Sequence, residues 1–221
     1  MTHKNNNIQP LEIKDCEILN IATGLRARNL KEFRDLLETI HPDCIHYHFW
    51  AKKLRAEFGE DEFNNDFATW ASINLHENKL AERLCLINPS MFKNVEELRS
   101  KLIEVVTSSI DEDQCSQDTK EGEKFQFTRS DIVLFDTGHL ISNPGQLKEL
   151  IPNLPLGAVY YHFIESNNIS LNIVTFVKNA GDEYTDLAIR LSKLDPYFFT
   201  LPELQSRASQ IFKDFFQGES G

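Results

Sequence analysis

A chain of 221 residues has room for one large domain or two small ones. Its 41% hydrophobic and 26% charged residues are ordinary for a chain that folds around a core. Its net charge of −11 opposes phosphate backbones, which attract Lys and Arg, so nucleic acid is excluded as a partner.

The first residues, 1–14, are polar and Asn-rich and lack the apolar core of a signal peptide, so they read as a flexible leader. Glu17–Gly24 follows as a short apolar-rich strand or extended segment stopped by Gly. Asn29 is a good helix N-cap, and Glu32 is placed to reach back to the cap's own N–H. Leu30, Phe33, Leu36, Leu37 and Ile40 then recur at helical spacing, and Pro42 stops the run. Asp43 opens a segment through His46-Tyr47-His48-Phe49-Trp50. Tyr47, Trp50, Leu54 and Phe58 give it a helical face, broken at Gly59. Asn64-Asn65-Asp66 reads as a cap for a helix through Trp70, Leu80–Leu84 as a short helix, and Asn94–Ile110 as an amphipathic one. Residues 111–124 are polar and unpatterned and read as a linker. No apolar run approaches the roughly 20 residues of a membrane helix. Cys16, Cys44, Cys85 and Cys115 are far apart without a CxxC pair, which fits free thiols in a reducing compartment. The expectation is a cytoplasmic protein without cofactor or metal.

The second half echoes the first. Tyr160-Tyr161-His162-Phe163-Ile164 falls 114 residues after His46–Trp50, and Thr137-Gly138 repeats Thr23-Gly24. Between 23–50 and 137–164 there are no gaps and seven identities in 28 positions, where chance gives roughly two. Further on, Leu80-Ala81 and Arg83-Leu84 match Leu187-Ala188 and Arg190-Leu191, and Leu98 matches Leu204. The expected fold class is therefore mainly α, with two tandem homologous helical domains that each open with a short extended segment or strand. The first module spans 15–110 and a degenerate second copy spans 125–217. A homo-oligomer is compatible with this pattern.

The first half resembles a bacterial and archaeal family of unknown function, DUF5752. The resemblance rests on Thr23–Leu30, Tyr47-His48-Phe49-Trp50, Asn64-Asn65-Asp66-Phe67 with Trp70, and Leu80–Leu84. It implies a mostly helical fold and carries over no chemistry. The second half departs from the pattern at the positions of Arg26, Arg28, His46, Trp50 and the Asn-Asn-Asp cluster, so any binding site of the family is expected on the first half.

Two clusters are chemical candidates. Arg26, Arg28 and Asn29 precede a helix N-terminus, where free N–H groups and guanidiniums suit a phosphate or carboxylate; the bland alternative is pairing with surface carboxylates. His46 and His48 form a His-x-His pair. On a strand they would share one face as metal ligands, with Asp66 or His76 completing the set; on a helix they stand about 200° apart. The alternative for His48, repeated as His162, is a packed ring donating to a backbone carbonyl. No nucleophile elbow, phosphate loop or zinc-protease helix is present. The expected function is a non-enzymatic protein-interaction or regulatory module with a protein partner. The alternative is a binder of a small anion or metal, or an enzyme, with its site on the first module.

Overall fold

In a computed structural model, residues 9–54, 63–113, 118–165 and 172–218 are described. The expectations placed on residues 1–8, Phe58, Gly59 and Cys115 fall outside them. Strand β1 (Leu11–Ala27) opens the first half, and α1 (Leu30–Leu37), α2 (Pro42–Trp50), α3 (Asp66–Ile73), α4 (Asn78–Cys85) and α5 (Val95–Asp113) follow. Strand β2 (Phe125–Ile141) opens the second half. It leads into α6 (Pro144–Leu150), α7 (Leu156–Phe163), α8 (Ile173–Asn179), α9 (Thr185–Ser192) and α10 (Leu201–Gly218).

The mainly α expectation, with two tandem helical domains, is overturned. The fold is mixed α/β: 61% helix with an antiparallel two-stranded sheet formed by β1 and β2. Each strand runs for 17 residues, where a short extended segment or strand was expected. The reason lies in burial. Alternation is clear only at the start of each strand (Leu11 and Ile13, Phe125 and Phe127), while the rest carries mixed residues partly exposed on both faces, so no period-2 signal continues through it.

The chain divides into two compact units. One is Ile18–Asp131; the other joins Met1–Glu17 to Ile132–Gly221. Each unit therefore contains a piece of both strands. In the unit Ile18–Asp131, Phe125 and Phe127 of β2 complete an aromatic core. Phe33 of α1 sits among Phe67, Trp70, Phe125 and Phe127 at centroid distances of 5.7, 5.1, 5.1 and 5.5 Å. Helices α1 and α2 lie against α5, and α3 against α4. Arg99 of α5 is buried and donates to the carbonyls of Leu37 and Ile40 (2.9 Å to the latter), satisfying the C-terminal end of α1.

In the other unit, Leu11 and Ile13 of β1 are buried, and α10 packs on α6, α7 and α9. Gln205 of α10 donates to the carbonyls of Ile151 (2.9 Å) and Leu154 (2.8 Å), doing for α6 what Arg99 does for α1.

The Thr-Gly pairs mark a shared device in the strands. Thr23 Oγ1 donates to the carbonyl of Phe127 (2.5 Å), and Thr137 Oγ1 donates to that of Ile13 (2.6 Å). The next residues, Gly24 and Gly138, have φ of +77° and +76°, a left-handed conformation that an L side chain resists. Each threonine thus ties its strand to the opposite one just before a kink.

Candidate functional site

Helix α2 begins with Pro42 at its first position and Asp43 in its first turn, both favourable there. The aromatic run is helical, so His46 and His48 cannot turn to one ligand together. His46 is half-buried with its ring 6.3 Å from that of Trp50. His48 is buried between the rings of Phe67 and Phe125, at 5.3 and 4.7 Å.

Both ring nitrogens of His48 are engaged. The backbone N–H of Thr128 on β2 donates to Nε2 (3.1 Å), so Nε2 carries a lone pair and the proton sits on Nδ1. Nδ1 lies 2.8 Å from Asp66 Oδ2 at the first position of α3 and donates to it. The ring packs as the bland alternative supposed, but it accepts a strand N–H and donates to a carboxylate; a backbone carbonyl is not its partner in these bonds. His162 is fully buried on α7, and its Nε2 accepts the backbone N–H of Lys14 on β1 (2.9 Å). Each histidine therefore clasps a strand segment that lies more than 70 residues away in sequence.

The arginine group has its own partners. Arg28 Nε donates to Glu32 Oε1 (2.7 Å) and lies 3.7 Å from Asp118. These carboxylates raise the guanidinium above its ordinary pKa, Glu32 first. Asn29 caps α1 by accepting the N–H of Glu32 (2.9 Å), and its amide donates to Asp118 (2.6 Å). Glu32 reaches back one residue further than expected, to the N–H of Arg28 (3.0 Å). Arg26 is exposed, and together with Arg28 it adds to the pull, led by Lys124, that lowers the carboxyl of Glu121. Arg28 and Asn29 are thus brought together at Asp118, while His48 meets Asp66 and Thr128.

An open surface hollow of about 420 Å³ lies over the His48–Asp66 pair, lined also by Tyr47, Trp70, Lys124 and Gln126. Among the described residues no group of three His, Cys, Asp or Glu side chains is arranged around a metal position. Asn65, from the Asn-Asn-Asp cluster, is fully buried. It caps α3 through the N–H of Ala68 (2.9 Å), and its amide donates to Leu84 O (3.2 Å). Sequence reasoning did not find Thr128, the Lys14 N–H, Arg99 or Gln205. The repeated His and Thr-Gly were the visible signal, but their partners are backbone groups of distant strands, which carry no side-chain signature.

The pattern of a family of unknown function, DUF5752, matches residues 8–213. Among solved structures, OrfY from Thermoproteus tenax is 22% identical, with a TM-score of 0.77 over 95% of this chain and 96% of that one; the likeness is one of fold. No curated protein matches the chain. Among the described residues no helix is long and apolar enough to cross a membrane.

Proposed function

The chain belongs to DUF5752, a family of unknown function, and from that premise we propose that it is a non-enzymatic protein-interaction or regulatory module. The observation that carries this reading is the state of His48: its Nε2 lone pair is held by the Thr128 N–H and its Nδ1 proton by Asp66, so the ring serves as a brace between helix and strand. A base or ligand needs a lone pair it can give to something else. We further propose that the chain is one module duplicated within a cytoplasmic protein. The paired braces His48 and His162, the threonine ties, and Arg99 matched by Gln205 support this.

The test compares His48→Phe with Arg26→Ala/Arg28→Ala in a thermal-shift screen against metals, nucleotides, sugar phosphates and metabolites. A brace leaves the Thr128 N–H unpaired when it is replaced, so His48→Phe is expected to lose about 1–3 kcal/mol without any ligand, which is several degrees of melting temperature. The double arginine variant is expected to melt within about 2 °C of the parent, since exposed ion pairs contribute little. A ligand that raises the parent's melting point and is lost in either variant would instead support a small-ligand site on the first module.

A further inference from the structure

Strand β2 carries apolar side chains on both of its faces that are only about half covered. Val133, Leu134, Phe135 and Leu140 are 37%, 44%, 44% and 56% exposed, and all four belong to the unit built on Ile132–Gly221. Among the described residues the sheet has two strands, so the outer edge of β2 has no strand neighbour. Such an edge offers N–H and C=O groups to another chain, and charges or Pro usually guard it. Here no Pro interrupts β2, and between Val133 and Leu140 the acidic Asp136 stands with no Lys or Arg.

The charges around these side chains are mostly acidic. The pieces of both strands in this unit carry Glu12, Asp15, Glu17 and Asp136 against one cation, Lys14. Lys14 is already taken by Glu12 (2.8 Å) and Asp136. Beside Leu140 lies an open hollow of about 550 Å³, lined by His139, Ile141, Gln146, Glu149 and Leu150; the Glu149 carboxylate is 82% exposed, with Lys148 3.7 Å away. A second copy of the chain would bring these carboxylates against their own equivalents, in a molecule of net charge −11. We propose that the outer edge of β2 from Val133 to Leu140 docks an extended segment of a partner protein in which apolar and basic residues alternate. Added as a third strand, the segment extends the Val133/Phe135 face with its apolar residues. It turns its basic ones to the Asp136 face and sets a terminal Lys or Arg beside Glu149.

This proposal rests on the reading of the chain as an interaction module, and its test is separable from the ligand screen. The probe is a labelled peptide of about eight residues alternating Val and Lys, the length of a typical strand. It is titrated into the full-length chain by fluorescence anisotropy beside a Val/Glu peptide. The Val/Lys peptide is expected to bind and the Val/Glu peptide not. Val133→Thr/Phe135→Thr, which keeps charge and strand propensity, is expected to weaken binding at least about tenfold at an unchanged melting temperature. Leu140→Thr serves as a second variant should the first melt early. Equal binding to parent and variants would reduce the effect to net charge and overturn the proposal, as would no binding to the parent. A parent that sediments as a dimer while the variants are monomers would assign the edge to a second copy and overturn it too. A small-ligand hit that survives in the β2 variants would instead count against the interaction reading alone.

Discussion

Phe33→Ala is expected to unfold the unit Ile18–Asp131 more readily than any surface change. Phe33 is fully buried, and its ring meets four others drawn from α3 and β2. Truncation removes the transfer free energy of the ring and leaves a cavity that rigid aromatic neighbours fill poorly. Losses of about 3–5 kcal/mol are typical of such sites. Guanidinium melts followed by tryptophan fluorescence check this directly, because Trp70 lies 5.1 Å from Phe33. Phe33→Leu is expected to lose much less, since a leucine keeps most of the apolar volume and leaves a smaller cavity. A loss below about 1 kcal/mol for Phe33→Ala would mean that the cluster is not a packed core.

Gly157→Ala sets two effects against each other. Gly157 lies within the first turn of α7, and there alanine's better helix propensity alone would stabilise by up to about 1 kcal/mol. But a Cβ at Gly157 would overlap the carbonyl oxygen of Cys16 and the carboxylate of Asp15, with Cys16 N at 3.1 Å. The Cys16 carbonyl is backbone and cannot swing aside. The contact also carries a hydrogen bond: burial pushes the Cys16 thiol up to about 12, so it stays protonated and donates to Gly157 O (3.2 Å). Steric overlap is expected to win, with a net loss of about 1–3 kcal/mol and a melting temperature lower by roughly 2–10 °C. A melting temperature equal to or above the parent's would show that β1 does not press on α7 at this point.

The helices were legible because their signals are local. Asn29 with Glu32 and Asn65 with Ala68 lie within a few residues of what they contact, and the buried stripe Leu30, Phe33, Leu37 and Ile40 shows its helical spacing whatever it packs on. The full length of the strands was not, because a two-stranded ribbon has no second sheet to impose alternation on its middle. Residues such as Leu19 and Val133 are exposed where the pattern rule expects an apolar residue to be buried. The repeated Tyr-His-Phe and Thr-Gly marked the right residues, yet their meaning lay in backbone groups over 70 residues away, as with Thr128 for His48. The arginines before α1 were visible as an anion site because sequence shows charges without their neighbours. Asp118, which meets both Arg28 and Asn29, comes from a stretch read as linker.

The role assigned to His48 depends on β2 completing the unit that contains α1 to α5. The direct measurement is the folding of two fragments, 18–131 and 18–110, by near-ultraviolet circular dichroism and thermal melting. The first retains Phe125, Phe127 and the Thr128 N–H; the second lacks all three. Fragment 18–131 is expected to melt cooperatively with a near-ultraviolet signal from Trp70, and 18–110 to show neither. A cooperative melt of 18–110 at the same temperature as 18–131 would contradict the account, since the aromatic core and the histidine brace would then not need the strand.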